Sequence, residues 1–457
     1  MQLQGKKTLV LGAGKSGVAA SRFLAERGAI VALHDKKPLA EWSEQALKLK
    51  DKYRIGLICG QIPSWLLDQI ELLVVSPGVP TNSIPVRYVD RKGAEVIGEV
   101  ELAYRFLKGK IVGITGTNGK TTTTTLIGEI LKSAGFKVQV AGNIGTPLIE
   151  VVGSSDDETW NVIELSSFQL ETISLFRPNI AVALNVTPNH LDRYNFFSDY
   201  AAAKHRIFMN QTSEDIAILN ADNEVTASWA KGLKAKVVLF SAKNELDEGF
   251  FLRGDEIIFR DGISEKVVSR RSEILLKGLH NLENVLASVA AATFCGVDFD
   301  VMRDVLSRFQ GVEHRLELVG SIRGVRFYND SKATSVDATL KALEALGGES
   351  GKIVLILGGR GKNAPYKPLI QLVEKLVRAI VLIGEDADRI EAELSGKADM
   401  TRANSMEDAV RKAFQMASEN DIVLLSPACA SFDMFESFEH RGRAFKQAFL
   451  KLKEEES

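Results

Sequence analysis

Residues 110–125 read Lys110-Ile-Val-Gly-Ile-Thr-Gly-Thr-Asn-Gly-Lys-Thr-Thr-Thr-Thr-Thr125: an apolar run, a turn bracketed by glycines, a lysine, then threonines. The usual phosphate-loop spacing, GxxxxGK[ST], asks for glycine at position 114; this chain has Ile114 there, and Gly116 supplies the turn instead. The shorter turn keeps every part the chemistry needs. Backbone N–H groups between Gly116 and Gly119 converge on phosphate oxygens, and the N-terminus of the following helix adds a favourable field. Lys120 reaches the β- and γ-phosphates, and the Thr121 hydroxyl can hold Mg²⁺. The expected triphosphate contacts are Gly116, Thr117, Asn118, Gly119, Lys120, Thr121 and Thr122. Thr121–Thr125 are poor helix formers, so their place just after the turn calls for a reason other than propensity.

Outward from this stretch, short apolar runs at 7–12, 29–35, 71–78, 160–167, 179–186, 352–359, 379–384 and 421–427 alternate with helix-length segments. Val and Ile at nearly every position of these runs predict strands covered on both faces, hence parallel sheets built from βαβ units. Functional groups then collect at the carboxyl ends of the strands. The series restarts after 102–110 and again after 309–320, which reads as a linker; 246–272, with turn signals RGDE and RDGI, reads as a hairpin. With 457 residues and about 150 residues per domain, the expectation is an α/β protein of three domains. These are a Rossmann-like N-terminal domain over 1–98, a central P-loop-type ATPase domain with a mostly parallel sheet over 99–311, and a Rossmann-like C-terminal domain over 312–457.

Basic and acidic residues balance at 57 and 59, so no global field favours nucleic acid or a membrane surface. Cys59, Cys295 and Cys429 have no CxxC spacing, which suits a reducing compartment; Cys429 is read as packing. No run approaches the ~18 apolar residues of a membrane helix, and the N-terminal apolar run is too short for a signal peptide. A soluble, cytoplasmic monomer is expected.

Two further groups of residues stand at strand ends. Gly12-Ala-Gly-Lys-Ser-Gly17 follows a strand and opens a helix, and Asp35 ends the next strand, the pattern of a dinucleotide fingerprint. Taken alone, this loop favours NAD, although Lys15 and Ser16 suit the diphosphate of any nucleotide. Glu164 ends the strand WNVIE, and the next strand runs into TPNHLDRY with His190. Adjacent parallel strands would bring that carboxylate and imidazole beside the phosphate loop, where a metal bridging β- and γ-phosphates must be held. Mg²⁺ prefers oxygen ligands, which makes His190 an unusual member. Towards the C-terminus, Arg315, Asp330, Lys332 and Lys362 lie at or near strand ends.

The segments GTNGKTTT, NHLDRY, AAAKHRIF, HNLEN (280–284), VEHRLE, NDSKATS and SPACASFDMFESFEHRG occur in this order across nearly the whole chain. Together they resemble the Mur ligases, the ATP-dependent amino-acid-adding enzymes of bacterial peptidoglycan synthesis. GAGKSG, SPGV (76–79), HLDRY and the SPACAS block resemble the branch that adds D-glutamate to UDP-N-acetylmuramoyl-L-alanine. The resemblance displaces NAD from the first loop, implying that Lys15, Ser16, Asp35 and Gly78 contact the UDP substrate, which Asn143, Gln169 and His190 meet further in. It implies two Mg²⁺ ions at Thr121, Glu164, His190 and Lys204, the last carrying a CO₂-derived carbamate. Asn281, Asn284, Arg315 and Asp330 are implied ATP contacts, and Thr334, Lys362, Ser431 and Phe438 implied contacts for D-glutamate. Lys332 lies near the reacting groups, so the implied catalytic set is Lys120, Glu164, His190, Lys204 and Lys332. The implied reaction runs through an acyl phosphate. Rival readings are a sibling or folylpolyglutamate-synthase-like ligase, an NAD-dependent oxidoreductase and a non-catalytic nucleotide binder.

Overall fold

Runs with no polar face become the inner strands of three sheets. The computed structural model describes residues 1–456 except 144, 190–192, 277, 348–350, 362 and 363, and leaves the side chain of residue 280 undescribed. The chain divides into two compact units, Met1–Phe309 and Gln310–Ser457. The first unit carries two sheets. Strands β1 (Lys7–Leu11), β2 (Ile30–Asp35), β3 (Gly56–Cys59), β4 (Leu72–Val75) and β5 (Glu95–Gly98) pair in the order 3-2-1-4-5, all parallel. The order reverses between β1 and β4, so the crevice outside their carboxyl ends is where a ligand of this sheet fits.

The second sheet comprises β6 (Lys110–Thr115), β7 (Val138–Gly142), β8 (Trp160–Glu164), β9 (Ile180–Ala183), β10 (Ile216–Asn220), β11 (Lys236–Ser241), β12 (Gly249–Arg253), β13 (Glu256–Arg260) and β14 (Glu265–Arg270). Their order is 14-13-12-11-10-9-6-8-7. Pairing is parallel except along β12–β13–β14, the antiparallel segment expected within 246–272. Strand β6 lies between β8 and β9, which sets the neighbours of the loop that follows it.

The second unit holds β15 (Glu317–Ile322), β16 (Val325–Asn329), β17 (Ile353–Gly358), β18 (Val377–Ile383), β19 (Asp399–Arg402) and β20 (Ile422–Leu425), ordered 15-16-20-17-18-19. Only β15 and β16 are antiparallel. Here the expectation for 309–320 is corrected: its last residues begin β15 rather than completing a linker. This is an edge strand, half-exposed and irregular at Leu318/Gly320, so it lacks the continuous apolar run of a covered strand. Gly320 is required there, because a Cβ would fall 2.6 Å from the Phe449 ring.

The two sheets of the first unit are tied by carboxylates in the helix Glu99–Tyr104, which leads from β5 towards β6. The buried Glu101 carboxylate accepts the backbone N–H groups of Ser174 (2.8 Å), Leu175 (3.0 Å) and Phe176 (3.0 Å), and Arg105 Nε donates to it at 3.0 Å. Glu99 Oε1 accepts the Ile149 N–H at 2.7 Å, and burial lifts this carboxyl to about 7. A charge held this way anchors the 174–176 turn to the end of the first sheet. Glu101→Ala should cost about 3–5 kcal/mol, the range for breaking a buried ion pair. Urea unfolding against wild type measures it, and a loss below 1 kcal/mol contradicts the anchoring role.

Candidate active site

The turn after β6 closes in spite of its short glycine spacing. Gly119 caps the helix Lys120–Ser133 with φ +85°, and a Cβ there would fall 2.1 Å from Asn284 Oδ1. Left-handed backbone and close packing both exclude a side chain. Two of the threonines that propensity leaves unexplained, Thr121 and Thr123, turn their hydroxyls to neighbouring elements, whereas the buried Thr124 hydroxyl has no partner among the described residues. Thr121 Oγ1 donates to Glu164 Oε2 at 2.8 Å and Thr123 Oγ1 to Asn284 Oδ1 at 3.4 Å. Thr117 Oγ1 accepts the Thr187 N–H at 3.0 Å and lies 3.2 Å from the Tyr200 hydroxyl. The Asn118 N–H donates to Asn185 Oδ1 at 2.9 Å, and Asn284 Nδ2 donates to Asn281 Oδ1 at 3.3 Å. Thr122 is buried in the first turn of the helix.

Two lysines meet at the same backbone oxygen. Lys120 Nζ donates to the carbonyls of Gly116 (2.9 Å) and Thr117 (3.0 Å), while Lys204 Nζ, from the helix Phe197–His205, donates to Gly116 O at 2.7 Å. Lys204 is 1 % exposed and packs 4.7 Å above the Tyr200 ring. Burial holds its amine well below the usual lysine range; the Lys120 charge lowers it further, and Glu164 opposes both. Glu164, at the end of β8, has both oxygens engaged, since Asn143 Nδ2 donates to Oε1 at 2.9 Å. Thr121, Asn143, Glu164, Lys120 and Lys204 thus form one cluster. His190 lies outside the described residues.

At the first sheet, Gly12 (φ +96°) lies where a Cβ would come 2.9 Å from Ser76 Cβ, and one on Gly17 would sit 1.8 Å from the Gly12 carbonyl oxygen. The turn is therefore sealed against the loop after β4. Lys15 opens the next helix and Ser16 follows it. Asp35 Oδ2 accepts the Ala13 N–H at 2.8 Å and Oδ1 the Lys37 N–H at 3.1 Å. Burial raises this carboxyl, but those two N–H groups together with the nearby His34 and Lys37 charges outweigh it and hold the acid below its ordinary value. Gly78, in the loop after β4, faces open space where a Cβ would be. Gln169, expected at the substrate, spends its Oε1 on a capping box: it accepts the Ser166 N–H at 3.0 Å.

In the second unit, Asp330 is buried at the end of β16, where Ser426 Oγ donates to it at 2.9 Å and the Leu316 N–H at 3.2 Å. Arg315 lies between His314 (φ +65°) and Leu316 (φ +43°), a tight left-handed turn. The Lys332 N–H donates to His314 O at 3.1 Å, its Nζ lies 5.9 Å from the Phe438 ring centroid, and the Thr334 N–H donates to Lys332 O. Ser431 is buried, and Lys362 lies outside the described residues.

Arg441 is a residue the sequence reading missed. It is 1 % exposed and donates to Ser331 Oγ (3.0 Å), Ser331 O (2.9 Å), Cys429 O (3.1 Å) and Ala430 O (3.3 Å). It joins the Asp330–Lys332 turn to the loop carrying Ser431. Its signal was an arginine followed by glycine inside a charged run that otherwise reads as wet surface. Burial pushes this guanidinium down to about 10.

Family models match three stretches: Mur ligase MurD-like, N-terminal domain over residues 6–98; Mur ligase middle domain over 114–292; and Mur ligase, glutamate ligase domain over 314–429. A UDP-N-acetylmuramoylalanine--D-glutamate ligase of Koribacter versatilis is 47 % identical over 456 residues, covering 100 % of both chains. One of Acidobacterium capsulatum is 48 % identical over 453 residues, 98 % of this chain and 97 % of that one. Among solved structures, UDP-N-acetylmuramate-alanine ligase MurC of Thermotoga maritima superposes with TM-score 0.59 at 19 % identity, covering 98 % of this chain and 100 % of that one. MurF ligase of Thermotoga maritima in complex with ADP gives 0.57 at 18 %, covering 99 % and 96 %. At such identities the two structures attest the fold alone.

Burial lifts the Asp330 carboxyl from 3.8 to about 7, against the donors Ser426 and Leu316 and the Arg315 charge. The folded chain therefore keeps a proton that the unfolded chain releases, and this group's contribution to stability falls as pH rises from about 4 to 7, then levels off. The unfolding free energy of wild type minus that of Asp330→Asn, measured from pH 4 to 8, should decline across that window. A difference independent of pH contradicts the shift.

Proposed function

The chain belongs to the Mur ligase family, and we propose that it joins D-glutamate to UDP-N-acetylmuramoyl-L-alanine, with ATP converted to ADP and phosphate, in peptidoglycan precursor synthesis. The observation that carries this reading is identity of 47 % along the full length of ligases bearing that name. The cluster around Gly116 supplies its chemistry. The NAD reading of the first loop is dropped, because it leaves the second glycine turn without a task.

A carboxylate oxygen is a poor leaving group, so the substrate acid is activated first. Its oxygen attacks the γ-phosphorus of ATP, the bond to the β-phosphate oxygen breaks, and an acyl phosphate and ADP result. The amine of D-glutamate then attacks the acyl carbon, loses a proton, and expels phosphate from the tetrahedral intermediate. Lys120 exchanges the carbonyls of Gly116 and Thr117 for phosphate oxygens, and the N–H groups of Gly116–Thr122 cradle the same phosphates. Asn281, Asn284, Arg315 and Asp330 hold the rest of ATP. Lys332 offsets charge on the transferring group and the oxyanion. Lys15, Ser16, Asp35 and Gly78 hold the uridine diphosphate; Asn143, Gln169 and His190 steer its acid end; Thr334, Lys362, Ser431 and Phe438 hold D-glutamate. The domain division at 98/99 and 311/312 belongs to this proposal, supported by one sheet falling in each part.

The donors fit Mg²⁺: Thr121 Oγ1 and Glu164 Oε2 are oxygens 2.8 Å apart, the ligand type it prefers. They would hold it with His190 and a carbamylated Lys204, two ions in all, and the metal supplies charge neutralisation on the transferring phosphoryl group. Lys204 suits the modification because its depressed amine keeps a neutral fraction able to bond CO₂ and release a proton. An ammonium at the same place would repel a cation. None of the described helices is long and apolar enough to cross a membrane; a cytoplasmic monomer is the proposed setting.

Phosphate release with UDP-N-acetylmuramoyl-L-alanine, D-glutamate and ATP, omitting one at a time, tests the reaction. Turnover should require all three, and turnover supported by another amino acid in place of D-glutamate would transfer the assignment to a sibling ligase. Lys204→Ala should lose activity by roughly 10²-fold or more, the scale of removing one charge-stabilising group. Acetate should restore part of it. Normal activity in this variant removes Lys204 from the mechanism.

A further inference from the structure

One polar cluster in the first unit belongs to neither glycine turn. Arg193 follows the 190–192 segment, and its side chain is 15 % exposed. Its Nη1 donates to Pro77 O at 2.8 Å and its Nη2 to Val79 O at 3.4 Å. The same Nη2 donates to Glu171 Oε2 at 3.1 Å, and the guanidinium carbon stands 4.0 Å above the Phe168 ring. Glu171 is held in turn: Thr81 Oγ1 donates to Oε2 at 3.2 Å and the Tyr194 hydroxyl to Oε1 at 2.5 Å. Glu171 sits just ahead of the turn fastened by Glu101, and Thr172 O accepts the Gly98 N–H. The acid is thus placed by the end of the first sheet, and it places the guanidinium.

Pro77 and Val79 bracket Gly78. The peptide between Pro77 and Gly78 is trans, as all described peptides are, so its carbonyl and N–H point in opposite directions. Turning the Pro77 carbonyl towards Arg193 aims the Gly78 N–H the other way. The Ser76–Val79 turn is also fixed from the far side, since Ser76 Oγ donates to Gly12 O at 3.2 Å and the Val79 N–H to Ser76 O at 2.9 Å. A guanidinium suits this task because its planar fork spans two acceptors and a carboxylate at once.

We propose that Arg193, held by Glu171, is the positioning residue for the loop at Gly78, so that the second sheet's chain sets the first sheet's binding surface for the sugar nucleotide. This rests on the proposed function, which places the uridine diphosphate end of the substrate at Gly78. The position of Arg193 in the chain adds a consequence: a side chain from the segment carrying His190 braces the loop that takes the same substrate's other end.

The experiment measures dissociation constants for UDP-N-acetylmuramoyl-L-alanine and, separately, for ATP, with KM and kcat, in wild type, Arg193→Ala, Arg193→Lys and Glu171→Gln. Arg193→Ala should weaken the sugar nucleotide by roughly tenfold or more, the scale of losing charge-assisted hydrogen bonds. ATP affinity and kcat at saturation should stay near wild type. Arg193→Lys, which keeps the charge without the fork, should fall between the two and carries the test if the alanine variant does not fold. The effects of Arg193→Ala and Glu171→Gln should be less than additive when combined. Sugar-nucleotide affinity unchanged in Arg193→Ala and Arg193→Lys, or equal losses for both ligands, overturns the inference. A wild-type protein that does not bind the sugar nucleotide overturns the proposed function first.

Discussion

The Gly116 carbonyl accepts hydrogen bonds from two lysine side chains, Lys120 at 2.9 Å and Lys204 at 2.7 Å, and the cluster is organised around that crowding. Like charges a few Å apart in a poorly solvated place repel by several kcal/mol at an effective dielectric constant near 20. Burial and the Lys120 charge together move Lys204 towards its neutral form. A triphosphate would relieve the arrangement by drawing Lys120 off the carbonyl, and an acid group on Lys204 would reverse the sign of its contribution. On the proposed function, the turn after β6 is thus held in an arrangement that triphosphate binding would relax.

That crowding follows from strand order. Because β6 pairs with β8 on one side and β9 on the other, the turn after β6 is braced from both. Ile114 lies opposite Glu164, so β8 delivers its carboxylate level with the loop, where Thr121 meets it. Beyond β9, Asn185 and Thr187 hold Asn118 and Thr117. The helix Leu279–Phe294 brings Asn284 against Gly119 and Thr123. Thr121 and Thr123 serve this bracing, since their hydroxyls at the helix start reach partners on other elements that better helix formers would leave bare.

The parallel sheets, the hairpin within 246–272 and the strand–turn–helix at Gly116 were legible because each leaves a local mark: an apolar run, a turn dipeptide, a glycine beside a lysine. The start of β15 was not, since a half-exposed edge strand with an irregular register lacks the apolar run by which covered strands are recognised. Arg441 leaves no such mark, because burial of a guanidinium among carbonyls of residues 331, 429 and 430 depends on contacts across more than a hundred positions as well as on near neighbours. The two-lysine convergence is equally silent in sequence, 84 positions separating Lys120 from Lys204. Gln169, proposed at the substrate, also caps its own helix: its side-chain oxygen accepts the Ser166 N–H.

In the proposed reaction this turn delivers the γ-phosphoryl group of ATP onto the substrate's carboxylate. Carboxylate-¹⁸O-labelled UDP-N-acetylmuramoyl-L-alanine, turned over with unlabelled ATP and D-glutamate, tests it at the bond concerned. One labelled oxygen should appear in the released inorganic phosphate for each amide formed. Phosphate free of label, with amide still formed, would contradict it.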